Sequence, residues 1–186
     1  MHKKICILNG SPRANGNTKE LIKSFTLGAT ESGHEVVCFD LQKMNIHSCL
    51  GCCKGGKEKS SPCVQKDDME QIYSVYEEAD VVVLASPMYY WGISGQLKCA
   101  FDRLFAVAEL NTNYENPKKD CVLLMSAEGN TEENFAPVRA FYEGLTSQLG
   151  WKNLGIVYAG GNMNVGDILS KQNQLKEAKE LGRSII

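Results

Sequence analysis

The stretch Ile5-Cys6-Ile7-Leu8-Asn9-Gly10-Ser11-Pro12-Arg13-Ala14-Asn15-Gly16-Asn17-Thr18 runs from an apolar strand into a polar loop, and a helical pattern opens near Lys19. A strand tip, a polar loop and a helix start make an anion site, because unpaired backbone N–H groups gather at the positive end of a helix dipole. The hydroxyls of Ser11 and Thr18, the Asn17 amide and the Arg13 guanidinium are the side chains available to complete a phosphate cage. The same residues also fit a plain strand-to-helix turn with Asn17 or Thr18 as its N-cap. Spacing excludes two common nucleotide loops. Five residues separate Gly10 from Gly16 and Asn17 stands where a Walker loop needs lysine, while Gly-x-Gly-x-x-Gly is absent. A single terminal phosphate suits such a loop better than a pyrophosphate.

Outward from this stretch, apolar runs alternate with helical periodicity. Ile5–Leu8, Val36–Leu41, Val81–Ala85, Val122–Met125 and Gly155–Tyr158 read as five buried strands. Between and after them lie five helical stripes. The first is Leu21, Ile22, Phe25 and Ala29, closed by Gly33, and the second runs from Met69 to Ala79 behind an Asp67-Asp68 cap. The third runs from Leu97 to Phe105, the fourth from Phe135 to Leu149, and the last from Ile168 to Leu181. Continuous apolar strands alternating with helices predict an α/β, doubly wound sandwich: a five-stranded parallel sheet with helices on both faces. Ligands of such sheets sit at the carboxyl ends of the strands, which directs attention to the loops after strands one, three and four.

A chain of 186 residues with 43% apolar content fits one domain, taken as residues 1–186, that buries its own core. A net charge of -2 leaves no basic footprint, so no nucleic acid partner is expected. No segment is long and apolar enough for a membrane or a signal peptide, and a cytoplasmic setting is expected. There, eight cysteines read as thiols or ligands rather than disulfides. Cys6, Cys38, Cys121 and Cys99 fall in strand or helix patterns and read as packing residues.

After the third strand comes Pro87-Met88-Tyr89-Tyr90-Trp91-Gly92, three adjacent aromatics at the ligand edge. They fit the cover of a flat ring system, and equally an aromatic core plug or a subunit surface. After the fourth strand, Ser126-Ala127-Glu128-Gly129-Asn130-Thr131 reads as a border of that ring or as an ordinary loop and helix cap.

The order of these motifs resembles the flavodoxin-like superfamily, especially the NAD(P)H-dependent FMN reductases and iron-sulfur flavoproteins. The resemblance is carried by Gly10-Ser11-Pro12-Arg13 with Gly16-Asn17-Thr18, Cys49-x-x-Cys52, Asp67-Asp68-Met69, Ser86-Pro87-x-Tyr89, Gln96-Leu97-Lys98 and Phe101-Asp102-Arg103. It implies a flavodoxin-like three-layer sandwich with strand order 2-1-3-4-5. It implies FMN across the carboxyl edge, with the phosphate on Ser11, Arg13, Asn17 and Thr18. The isoalloxazine would lie against Pro87, Met88, Tyr89, Tyr90, Trp91 and Gly92, with Ala127, Glu128 and Gly129 beside it. Chemistry then belongs to the cofactor, so no catalytic side chain is named. Hydride would come from NADH or NADPH, and electrons would leave to a quinone, flavin or protein acceptor. The alternative is an electron-transfer flavoprotein without direct NAD(P)H activity, with or without an iron-sulfur cluster. A homodimer or higher homo-oligomer is expected, with Trp91, Phe105 or Tyr114 at its surface.

The long irregular segment from about Met44 to Lys66 holds Cys49, Cys52, Cys53 and Cys63 beside His47. In the iron-sulfur flavoproteins the resemblance implies Cys-x-x-Cys-x-x-Cys and a later cysteine. Here Gly55 stands in the third place and Cys53 is displaced by two residues. Reduced thiols are therefore expected, with cluster and zinc as the alternatives, and no metal ligand is assigned.

Overall fold

In the computed structural model, which describes residues 2–186, all five apolar runs are strands of one parallel sheet. They are β1 (Lys4–Asn9), β2 (Glu35–Asp40), β3 (Val81–Pro87), β4 (Asp120–Ser126) and β5 (Lys152–Ala159), and their spatial order is β2-β1-β3-β4-β5. Six helices connect and follow them: α1 (Asn17–Glu31), α2 (Met69–Glu78), α3 (Gly95–Arg103), the short α4 (Phe105–Ala108), α5 (Glu132–Leu149) and α6 (Gln172–Arg183). The fold is flavodoxin-like, with helices packed on both faces of the sheet.

Side chains alternate across a strand, so one run of apolar residues feeds two cores. Cys6, Leu8, Val82, Leu84, Leu123 and Met125 pack with Met69, Ile72, Tyr76, Leu97 and Val138 on one face. Ile5, Ile7, Val81, Val83, Val122 and Leu124 pack with Leu21, Phe25 and Ala178 on the other. On that second face α1 and α6 touch backbone to backbone. A Cβ at Gly182 would run into the Phe25 carbonyl oxygen, and one at Gly28 into that of Lys179.

Four local expectations change. First, β2 and β5 are the edge strands rather than buried ones, and Cys38 is exposed on β2 instead of packing. Second, the third helical stripe breaks at Leu104, where i→i+3 bonds to Phe101 and from Val107 tighten the turn and leave Phe105 exposed. Third, the last stripe is not one helix. Ile168 belongs to a separate 3₁₀ turn (Asp167–Ser170), which follows Gly166 at φ 88°. Fourth, Asp67, rather than Asp68, bonds the Met69 N–H at 3.1 Å, while Asp68 turns back to the Asn45 N–H at 2.7 Å. Among the described residues no helix is long and apolar enough to cross a membrane.

The carboxyl edge carries a charged anchor. Asp40, at the end of β2, lies opposite Asn9 and accepts hydrogen bonds from Asn9 Nδ2 at 2.9 Å and Lys19 Nζ at 2.6 Å. Asn9 Oδ1 accepts in turn from the Ser11 N–H at 3.0 Å. Burial alone would push the Asp40 carboxyl up, but the hydrogen bonds from Lys19 and Asn9 outweigh it and hold the pKa down to about 2.

A folded pKa below the unfolded one means this stabilisation is complete above about pH 4 and is lost as the pH falls toward about 2. D40N is therefore expected to cost about 1–2 kcal/mol at neutral pH and to flatten the acid decline in that window, read by urea melts at a series of pH values. An unchanged acid limb would show that Asp40 is not the linked group. G182A is expected to cost about 1–3 kcal/mol in the same assay, because two helix backbones must part; a neutral result would mean that α1 and α6 are not in contact.

Candidate functional site

The loop after β1 is built to leave amides free. Gly16 is the N-cap of α1 and makes no side-chain cap bond, so neither Asn17 nor Thr18 caps the helix. Arg13 N–H donates to Ser11 Oγ at 3.2 Å and Gly16 N–H to the Arg13 carbonyl at 3.1 Å, closing the loop on itself. Asn17 and Thr18 N–H groups, in the first helical turn, find no acceptor among the described residues. Three of the side chains expected to cage a phosphate also bond within the protein. Asn17 Nδ2 donates to the Asn164 carbonyl at 2.8 Å and its Oδ1 accepts from Ile168 N–H at 3.3 Å. Arg13 Nη1 donates to the Met163 carbonyl at 2.8 Å, and Thr18 Oγ1 lies 2.7 Å from Ser126 Oγ. Arg13 and Asn17 thus hold the segment after β5 against the anion loop, and Thr18 ties α1 to the tip of β4.

The loop after β3 folds back as a tight turn. Tyr89 and Gly92 exchange both N–H···O bonds at 3.1 Å, with Tyr90 at φ 49° and Trp91 at φ 60° between them. Two bulky residues in the left-handed region store about 1–3 kcal/mol of strain each, which the surrounding structure must hold. A chain of hydroxyls supplies part of that hold. Ser94 N–H donates to Ser86 Oγ at 2.8 Å, Ser94 Oγ donates to the Gly10 carbonyl at 2.7 Å, and Leu97 N–H donates to Ser94 Oγ at 3.3 Å as the cap of α3. The aromatics are therefore not a core plug: Tyr89 is 44%, Tyr90 96% and Trp91 55% exposed. Phe105 and Tyr114, also expected at a subunit surface, are exposed and stacked on each other at 6.2 Å.

These loops line two adjacent cavities. The narrow one, about 210 Å³, has Ser11, Arg13, Gly16, Asn17 and Thr18 at its floor and Pro87, Ser126, Asn162 and Met163 around it. The wide one, about 610 Å³, is lined by Tyr90, Trp91, Gly129 and Asn134. Met88, Tyr89, Ala127 and Glu128 border both and form the neck. Of the thirteen residues the resemblance assigns to the cofactor, only Gly92 lines neither; it closes the aromatic turn. Glu128 and Gly129 N–H groups donate to no protein acceptor among the described residues. A narrow floor with free amides and a broad aromatic mouth fit a phosphorylated flat ring. Sequence reasoning missed Asn162, Met163 and Asn134. The first two come from the loop after β5, which carries no motif, and Asn134 sits inside an ordinary helix start.

The cysteine segment lies elsewhere, against α3 and α4. Its base is clamped by a buried ion pair: Arg103 Nη1 and Nη2 donate to Asp67 Oδ2 and Oδ1 at 2.6 and 3.1 Å, and Nη1 also to the His47 carbonyl at 2.8 Å. Burial alone would raise the Asp67 pKa, but Arg103 and the N–H groups of His47 and Met69 hold it below the usual carboxylate range. The four cysteines border one small recess of about 40 Å³. They do not converge as ligands: among the described residues no three Cys, His, Asp or Glu side chains are placed to hold a metal ion. At the third-cysteine position Gly55 instead donates its N–H to Glu109 Oε2 at 3.1 Å, and Cys53 sits at φ 47°. The donor set does not fit an iron-sulfur cluster.

Comparison with known proteins agrees with this geometry. An iron-sulfur flavoprotein of Archaeoglobus fulgidus is 30% identical over 178 residues, covering 95% of this chain and 76% of that protein. A putative NAD(P)H-dependent FMN-containing oxidoreductase of Bacillus subtilis is 25% identical over 185 residues and 96% of both chains. The solved structure of an NAD(P)H:quinone oxidoreductase from Methanothermobacter marburgensis superposes with a TM-score of 0.72 at 27% identity, over 98% of this chain and 94% of that one. The pattern described as NADPH-dependent FMN reductase matches residues 3–163, from the first strand to the loop that closes the narrow cavity, and the chain belongs to that family.

Proposed function

We propose that this chain binds FMN across the carboxyl edge of its sheet and carries electrons from NADH or NADPH to a small acceptor. The observation that carries the reading is a pair of cavities sharing Met88, Tyr89, Ala127 and Glu128 as lining, with unpartnered amides at Asn17, Thr18, Glu128 and Gly129 and aromatics along the wider one. Asn17 and Thr18 N–H groups and the Ser11 hydroxyl receive the phosphate at the helix start. Arg13 adds positive charge there while one of its nitrogens stays on the Met163 carbonyl. Pro87, Met88 and Tyr89 form one wall for the ring, and Ala127 to Gly129 form the other. Glu128 and Gly129 N–H groups supply hydrogen bonds to ring oxygens or nitrogens, which is how a protein tunes the charge of a reduced flavin. When bound, FMN supplies hydride-accepting, two-electron chemistry that no side chain here provides. Nucleotide and acceptor stack in turn in the wide cavity that Trp91 and Asn134 line.

The protein reconstituted with FMN is expected to show oxidised-flavin absorption that bleaches on anaerobic titration with NADH or NADPH. Bleaching by dithionite alone would make it an electron carrier, and folded protein that takes up no FMN at micromolar concentration would end the reading. S94A removes a helix cap and the tie between the aromatic turn and Gly10. It is expected to cost about 1 kcal/mol of stability and to weaken FMN binding by roughly three- to tenfold, measured by flavin fluorescence. Unchanged affinity would show that the tie does not shape the site.

A further inference from the structure

We infer that Cys52 and Cys63 are a redox pair, closed by a peroxide to a disulfide within the chain, at a modification site separate from the carboxyl edge. The recess they border shares no lining residue with either cavity at that edge. A zinc ion or an iron-sulfur cluster needs more converging ligands than the described residues of this segment present, but a disulfide needs only two sulfurs.

Backbone pairing brings the two thiols to one place. Gln65 Nε2 donates to the Ser48 carbonyl at 3.0 Å, and Gly56 N–H donates to the Pro62 carbonyl at 2.8 Å. Cys52 lies between Ser48 and Gly56 on one arm of the segment, and Cys63 lies between Pro62 and Gln65 on the other. Both are half-buried, and both line the recess of about 40 Å³. Cys49 and Cys53 line it too, but they are exposed and engaged with Gly51: Cys49 Sγ accepts its N–H at 3.4 Å, and Cys53 Sγ donates to its carbonyl at 3.9 Å.

A cation borders the same recess. Arg103 is fully buried, with Nη1 and Nη2 taken up by Asp67 and by the His47 and Gln65 carbonyls. Its Nε is buried with no hydrogen-bond partner among the described residues. Burial would lower the Arg103 pKa, but the hydrogen bond to Asp67 outweighs it, and the neighbouring Tyr73 and Cys63 add to the rise. A guanidinium with an unused N–H beside a half-buried sulfur offsets the negative charge that sulfur carries as it attacks a peroxide. Cys63 takes one peroxide oxygen as a sulfenic acid and releases water; Cys52 then displaces that oxygen as a second water. Two thiols and hydrogen peroxide thus become one disulfide and two waters. A thiol reductant reverses the step by exchange and is itself left as a disulfide.

The test uses the full chain, reduced with dithiothreitol, desalted under argon and assayed for bound iron and zinc. It is treated with about one equivalent of hydrogen peroxide and alkylated with N-ethylmaleimide. Trypsin cuts after Lys43, Lys54, Lys59 and Lys66, so mass spectrometry without reductant is expected to find residues 44–54 joined to residues 60–66. Fragmentation should place the bond between Cys52 and Cys63, electrophoresis should keep the protein a single chain, and dithiothreitol should release both peptides. C52S and C63S are each expected to lose the linkage, whereas C49S and C53S keep it, with thermal melting to confirm folding. The map of the unaltered protein decides the matter even where a variant does not fold. Peptides that stay separate, a bond to Cys49 or Cys53 instead, a bond between chains, or iron or zinc held in stoichiometric amount each overturn the inference.

Discussion

Parallel strand direction is the constraint from which the site follows. When every strand points the same way, every carboxyl end opens on one edge, and the loops after β1, β3, β4 and β5 must meet there. Short side-chain bonds, from Asp40 to Asn9, from Thr18 to Ser126 and from Ser94 to Gly10, lock the loops to one another while sparing their amides. Buried backbone N–H groups are nearly always paired, and Asn17 and Thr18, both buried, leave theirs without a protein acceptor at the helix start, where an anion would be favoured.

Local strain sits where that partner would lie. Tyr90 and Trp91 hold left-handed backbone that glycine or asparagine would adopt at less cost. Bulky side chains there make sense as surface for a flat molecule, because the turn aims them away from the core. The same turn lowers local stability, and the hydroxyl chain through Ser86 and Ser94 offsets part of it. Rigid anchorage beneath an exposed, strained tip is a common arrangement at ligand clamps.

Much of this was legible in the residues, for physical reasons. Long apolar strands spaced by helical stripes admit few topologies, and the glycine-rich and aromatic loops fell on the edge where such sheets bind ligands. What stayed hidden was tertiary. Nothing local says that β2 lies at an edge, or that Leu104 ends a helix whose apolar pattern continues. Asn17 reads as a phosphate ligand or cap, yet its side chain is spent on Asn162 and Asn164, more than a hundred positions away. Asn162 and Met163 wall the narrow cavity from a segment without a motif. The cysteines had the right composition for a cluster, but whether four thiols of one loop converge is decided by the loop's backbone path, which their spacing does not give.

The Arg103–Asp67 pair fastens the two ends of the cysteine segment's base, His47 and Gln65, to α3, and the stretch between them meets the end of α4 at Glu109. Changing the length of such a stretch is cheap, about 0.6 kcal/mol for each doubling of a flexible loop. Cysteines there can be gained or lost over generations while the cleft at the carboxyl edge keeps its shape.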